Sequence, residues 1–259
     1  MSGQLVDNAR LRRAVAAFAA DPKPETVVHV LRAALAGELL LDATGSDMEV
    51  KDGRLQERAR IRISSRVGPD GKRALLAFTS NAEIARMHPE GTRVQSVAQP
   101  ASAVLEMAKR QGAGWLFIDP AETTAALSSA DIEGALRHPR NEALQRVIAA
   151  ADAGLATPAD VLAALRVDAP LLLAGALEAG QVHEGKPRLR VSRRPDGTVA
   201  LLAYTSAPEV AAREPRDGVI PTTTTKVLEM LRGSSTLSSL VINPAGPWVE
   251  LSAEELAGS

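Results

Sequence analysis

Arginines alternate with apolar residues in Arg60-Ile61-Arg62-Ile63 and again in Arg188-Leu189-Arg190-Val191. A period of two puts the apolar side chains on one face of a strand and the arginines on the other. Ala74-Leu75-Leu76-Ala77-Phe78 and Ala200-Leu201-Leu202-Ala203-Tyr204 are apolar at both parities, which predicts central strands covered on both faces. Trp115-Leu116-Phe117-Ile118 and Ser239-Leu240-Val241-Ile242 read the same way. The shorter runs 38–41 and 169–173 also predict strands. Helical spacing appears in Leu11, Val15 and Phe18, and in Leu144, Val147 and Ile148, so a pair of short helices opens each half. Pro22 and Pro24 break the first pair. Thr157-Pro158 breaks the second, with Thr157 as N-cap and the proline at the first helical position.

These elements occur twice in one order. Residues 70–80 and 196–206 share eight identities in eleven positions, and the tetrapeptide VLEM recurs at 104–107 and 227–230. LFIDPA at 116–121 returns as LVINPA at 240–245. A repeat of this length predicts two homologous units, placed at 1–138 and 139–259. Each is expected to be an α+β unit, a mixed β-sheet flanked by helices. A doubly wound α/β unit is the alternative, because the second half of each copy reads β-α-β-α-β. The two units are expected to pack with pseudo-two-fold symmetry, and the chain could form a homo-oligomer.

Composition narrows the chemistry. The 259 residues are 45% apolar and 24% charged, enough for two cores. The chain has no cysteine, which excludes disulfides, thiol catalysis and cysteine metal sites. The net charge is −1 and the aromatics are three Phe, two Trp and one Tyr. That balance argues against nucleic-acid binding, which calls for a basic surface interleaved with aromatics. No apolar run reaches membrane-span length and the N-terminus lacks a signal-peptide core, so no membrane association and a cytoplasmic location are expected.

The repeated polar residues have two readings each. Ser80 with Glu83, Ser206 with Glu209, Ser128 with Asp131 and Ser252 with Glu255 fit helix capping boxes. Thr79 and Thr205 end a buried strand just before a helix, where α/β sheets leave a crevice and backbone amides can receive an anion; a threonine bonding a neighbouring backbone group at the turn is the plainer reading. Thr79, Ser80, Thr205 and Ser206 are therefore candidate binding residues. Arg60, Arg62, Arg188 and Arg190 could bind an anion or shield an exposed strand edge. Asp119-Pro120 and Asn243-Pro244 read as turn initiators. The histidines His29, His88, His138 and His183 are scattered, so neither a metal nor a cofactor is expected. Residues 180–186 match G-x-x-x-x-G-K, but Pro187 follows where a phosphate loop has Ser or Thr. Pro221-Thr222-Thr223-Thr224-Thr225-Lys226 reads as a threonine-capped entry to the VLEM helix.

With Phe78-Thr79-Ser80 and Tyr204-Thr205-Ser206 before a capped helix, and Ile118-Asp119-Pro120 and Ile242-Asn243-Pro244 after a second strand, the chain resembles the SseB N-terminal domain family. These bacterial proteins are named after enhanced serine sensitivity. The resemblance covers roughly 38–136 and 169–259. It implies a cytosolic α+β domain without an established enzymatic activity. Two functions follow as expectations. One is a non-catalytic binding or adaptor protein, with a protein or small-molecule partner and a link to amino-acid (serine) metabolism. The other is an enzyme with a single active site between the units, using His183 with Asp42 or Glu184.

Overall fold

The computed structural model describes residues 8–46, 50–51, 54–55, 62–176, 182–183 and 186–257. The chain divides into two compact units, Met1–Gly134 and Ala135–Ser259. In the first, helices α1 (Ala9–Ala20) and α2 (Pro24–Leu35) precede strand β1 (Glu38–Asp42), the short strands β2 (Val50–Lys51) and β3 (Arg54–Leu55), β4 (Ser65–Val67) and β5 (Arg73–Ala77). Then come α3 (Asn81–Ala85), β6 (Ser96–Pro100), α4 (Ala101–Arg110), β7 (Trp115–Ile118), β8 (Ala125–Ser128) and α5 (Ser129–Leu136).

The second unit repeats the order with α6 (Glu142–Asp152), α7 (Pro158–Arg166), β9 (Pro170–Ala176), β10 (Val182–His183), β11 (Lys186–Leu189), β12 (Val191–Arg193) and β13 (Val199–Ala203). It closes with α8 (Ala207–Arg213), β14 (Gly218–Thr223), α9 (Thr224–Arg232), β15 (Leu237–Ile242), β16 (Val249–Ser252) and α10 (Ala253–Ala257).

Each unit has the same sheet plan. In the first, the order is β4-β5-β7-β8, with β5 and β7 parallel and the outer pairs antiparallel. In the second it is β12-β13-β15-β16, with β13 and β15 parallel. One parallel pair inside an otherwise antiparallel sheet makes each unit α+β rather than doubly wound, which would need successive parallel crossovers. A second antiparallel layer, β1 with β6 or β9 with β14, joins the main sheet through single bridges at Leu40–Phe78 and Leu172–Tyr204.

β5 and β13 are buried on both faces, as their unbroken apolar pattern requires, whereas β7 and β15 are only half-buried at Trp115, Phe117 and Val241, so one of their faces is less completely covered than expected. In β13, Leu201 and Ala203 enter a core with Leu144, Ile148, Val161, Leu165, Val227 and Leu240. Leu202 and Tyr204, pointing the opposite way, pack with Leu172, Ala174 and Val210. Each fully buried leucine contributes about 2 kcal/mol. Pro221 is tolerated within β14 because that strand lies at a sheet edge, where a missing N–H breaks no ladder bond. Thr157 and Pro158 open α7 as expected: the hydroxyl accepts from the Asp160 amide, and the Asp160 carboxylate accepts from the Thr157 N–H at 2.7 Å.

The arginine-alternating stretches depart from expectation. Arg60 and Ile61 lie outside the described residues. Arg62 and Ile63 precede β4 rather than forming a strand. In the second copy β11 ends at Leu189, Arg190 belongs to no strand and β12 begins at Val191. This is the corner where the chain leaves one sheet for the other: the Arg190 amide bonds Ala174 O at 2.9 Å, and the Ser64 amide bonds Asp42 O at 3.1 Å. Alternation reports inward and outward positions, and a corner preserves those while breaking the ladder.

Candidate functional site

Thr79 follows the end of β5 with no exposed surface. A fully buried threonine needs partners for its N–H and hydroxyl. Asp119 supplies both: its carboxylate accepts from the Thr79 amide at 2.8 Å and from the Thr79 hydroxyl at 2.7 Å. Asp119 can aim that carboxylate because its backbone turns into the left-handed region, φ 52°, directly after β7, a conformation Asp and Asn tolerate better than other side chains. Asn243 repeats the geometry with φ 54°, its Oδ1 accepting from the Thr205 amide at 2.9 Å and the Thr205 hydroxyl at 3.2 Å, and its Nδ2 donating to that hydroxyl at 3.0 Å. The threonines therefore brace the two central loops against each other; Asp119 and Asn243 do more than initiate a turn.

The serines diverge. Ser80 caps α3, its hydroxyl accepting from the Glu83 amide at 3.4 Å. Glu83 does not complete a capping box by reaching back; its carboxylate takes Arg86 Nη1 at 2.7 and 2.9 Å. Ser206 makes no side-chain cap at all. There the Glu209 amide bonds the Ser206 carbonyl at 3.1 Å instead, and the hydroxyl is buried without a partner. The boxes at the last helices do form. Ser128 N–H donates to Asp131 at 2.8 Å and Asp131 N–H to Ser128 Oγ at 3.2 Å; Ser252 and Glu255 do the same at 2.7 and 3.2 Å.

In the first unit these residues border a cleft of about 490 Å³ between α1, α3 and the loop after β7. Its polar lining is Arg12, Ser80, Glu83, Arg86, Asp119 and Thr123, over Val15 and Ala16. Arg12 Nη1 donates to Thr79 Oγ1 at 3.4 Å. Burial pushes the Asp119 carboxyl above the ordinary carboxylate range; the Thr79 hydrogen bonds and Arg12 pull against this, while Glu83 adds to it. Two arginines and two carboxylates thus line one space at the small end of ligand-site volumes, Arg86 and Glu83 paired with each other on α3.

The second unit is aligned with the first by shared hydrogen bonds: Asn8 N–H to Thr79 O at 3.1 Å matches Asn141 N–H to Thr205 O at 2.9 Å. At the positions of Arg12, Asp119 and Arg86 it carries Gln145, Asn243 and Ala212. Of the ionised set only Glu83 keeps its charge, as Glu209. Ala82, which is exposed, becomes the buried Pro208, and Val15 becomes Ile148. The scaffold is retained and the charges are not.

Of the four arginines on the alternating stretches, Arg62, Arg188 and Arg190 are not in the lining of this cleft, and Arg60 lies outside the described residues. Arg190 donates to the Asp217 carboxylate at 2.5 and 2.7 Å, so its charge is engaged within its own unit. Arg62 and Arg188 are exposed. Asp42, named from the sequence as a partner for His183, has its described contacts within the first unit. It is buried and takes His88 Nε2 at 2.9 Å, the Ser64 hydroxyl at 2.7 Å and the Thr44 amide at 2.9 Å. The side chain of His183 and all of Glu184 lie outside the described residues. Arg12 and Arg86 belong to no motif and have no charged counterpart in the second copy, and Asp119 reads in the sequence as a turn initiator because Asn243 stands at the matching position. The visible signal was a buried strand-end threonine in each copy, paired at a distance with an Asp or Asn.

Among the described residues no group of three or more His, Asp or Glu is placed to hold a metal ion, and no helix is long and apolar enough to cross a membrane. A family model described as SseB protein N-terminal domain matches residues 11–134 and again residues 143–258. The matches include the helix pairs, beyond the strands and later helices that carried the resemblance. No curated protein and no solved structure matches the chain.

Proposed function

Since the chain belongs to the SseB N-terminal domain family and carries its domain twice, we propose that it is a non-catalytic binding protein whose first unit takes a compact zwitterion of α-amino-acid type. The second unit serves as scaffold. Serine is one candidate ligand, and the protein acts in the cytoplasm in amino-acid metabolism.

One observation carries this reading. Asn243 braces Thr205 through a neutral amide, its Oδ1 accepting from the amide and hydroxyl and its Nδ2 donating to the hydroxyl, so bracing needs no charge. A buried carboxylate is harder to keep than a buried amide, yet the first unit has Asp119 there, with Arg12 beside it. The charge therefore serves the cleft rather than the brace. An ammonium group fits against Asp119 and Glu83. A carboxylate fits against Arg12 and the remaining donors of Arg86, which suit planar anions. Thr79 and Thr205, the polar residues both copies keep at the strand ends, are engaged in bracing, which leaves recognition to Arg12, Arg86 and Asp119, which the second copy lacks, together with Glu83.

The test is a thermal-shift panel of α-amino acids alongside amines and carboxylates carrying only one of the two charges. Amino acids raise the Tm and single-charge analogues do not. Equal shifts from an amine or a carboxylate alone, or no shift from any zwitterion, overturn the reading.

A further inference from the structure

In the second unit, the junction of Thr205 and Ser206 lies against the start of α6, fixed by the Asn141 amide donating to Thr205 O at 2.9 Å. Asn141 and Gln145 stand one turn apart on the same face of that helix. Relative exposure is 3% for Asn141, 4% for Gln145 and 0% for Ser206. Asn141 Nδ2, Gln145 Oε1 and Ser206 Oγ are buried with no hydrogen-bond partner in the protein.

Each lost its partner through an identifiable exchange between the copies. In the first unit Asn8 Nδ2 donates to Glu38 O at 3.1 Å. That approach depends on Gly37, where an added Cβ would sit 2.6 Å from Asn8 Nδ2. The second unit has Ala169 at this place, its carbonyl accepting from Thr224 as Gly37 accepts from Ala101. Gln145 replaces the longer Arg12, whose Nη1 reaches the Thr79 hydroxyl. Ser206 lost its cap when its own carbonyl took the Glu209 amide.

We infer that Asn141, Gln145 and Ser206 bind a single internal water molecule, in the place the Arg12 guanidinium fills in the first unit. Nδ2 donates to the water, Oε1 accepts from it, and the serine hydroxyl does either. Three buried groups of mixed sense are what an internal water satisfies. Leaving even one unpaired carries a desolvation penalty. Near-complete burial excludes a larger solute.

The test uses the full chain. In an isotope-labelled sample, the Asn141 side-chain amide shows cross-relaxation with water of the sign expected for a long-lived bound molecule, and a crystal structure places one water within hydrogen-bond distance of all three atoms. Gln145→Leu loses the cross-peak. If that variant does not fold, the wild-type crystal structure decides alone. A direct Asn141 Nδ2 to Gln145 Oε1 bond with no water, or a larger solute at the three groups, overturns the inference.

Discussion

Asp119 accepts both polar hydrogens of Thr79, at 2.8 and 2.7 Å, from a left-handed backbone position that the second unit fills with Asn243. The duplication thus supplies its own control. One copy shows what the brace needs, and the other shows a charge added to it.

Asp119→Asn keeps an acceptor for Thr79 and removes a buried charge. We expect folding stability between unchanged and about 2 kcal/mol higher. The pH dependence has a definite sign. A carboxyl raised in the folded state binds its proton more tightly there, so stability falls as pH rises from the ordinary 3.8 through the folded value. Urea titrations across that range in wild type and variant check both points; a variant weaker than wild type at neutral pH contradicts them.

The reverse exchange, Asn243→Asp, buries a carboxylate in the unit where Gln145 takes the position that Arg12 holds in the first. It is expected to destabilise by about 2–4 kcal/mol at neutral pH, with recovery on acidification. Calorimetry at two pH values reads this directly.

Thr79→Val removes a hydroxyl donor from the buried Asp119 carboxylate, and Thr205→Val removes the hydroxyl that donates to Asn243 Oδ1 and accepts from its Nδ2. The expected loss is about 1–3 kcal/mol, larger for Thr79 because its partner is charged. Equal losses at the two sites would mean that the Asp119 carboxylate gains no more from the hydroxyl than the Asn243 amide does.

Much of this was legible in the chain. Ala74–Phe78 and Ala200–Tyr204 announced central strands by being apolar at both parities, and β5 and β13 are each paired on both sides. The stretch around Arg190 did not announce its corner, because the direction in which a side chain points survives a change of sheet. The cleft was the least legible part. Arg12 and Asp119 lie more than a hundred residues apart, and the second copy has neutral Gln145 and Asn243 in their places, so the residues shared by the copies do not include them. Ser206 shows the opposite failure: the capping pattern is present, but the backbone carbonyl took the amide first.

Asp42 gives a second acid-sensitive feature, of opposite sign. Burial alone would raise its carboxyl, but hydrogen bonds from Ser64, Thr44 and His88 outweigh that and hold it below the ordinary range. Its stabilisation is complete above the ordinary value and is lost as pH falls through the folded one. Asp42→Asn should flatten the acid limb of urea midpoints below about pH 4. An unchanged acid limb would show that the Asp42 network does not link folding to protonation.

The central claim is that the charge at position 119 recognises a ligand and the brace does not need it. Isothermal titration of L-serine and a panel of α-amino acids into wild type and Asp119→Asn measures this most directly. The account predicts saturable binding of one stoichiometric equivalent to wild type, and at least about a tenfold loss in the variant (1.4 kcal/mol), with the variant folded and no less stable. Undiminished affinity in the folded variant, or no amino acid bound by wild type, would contradict it.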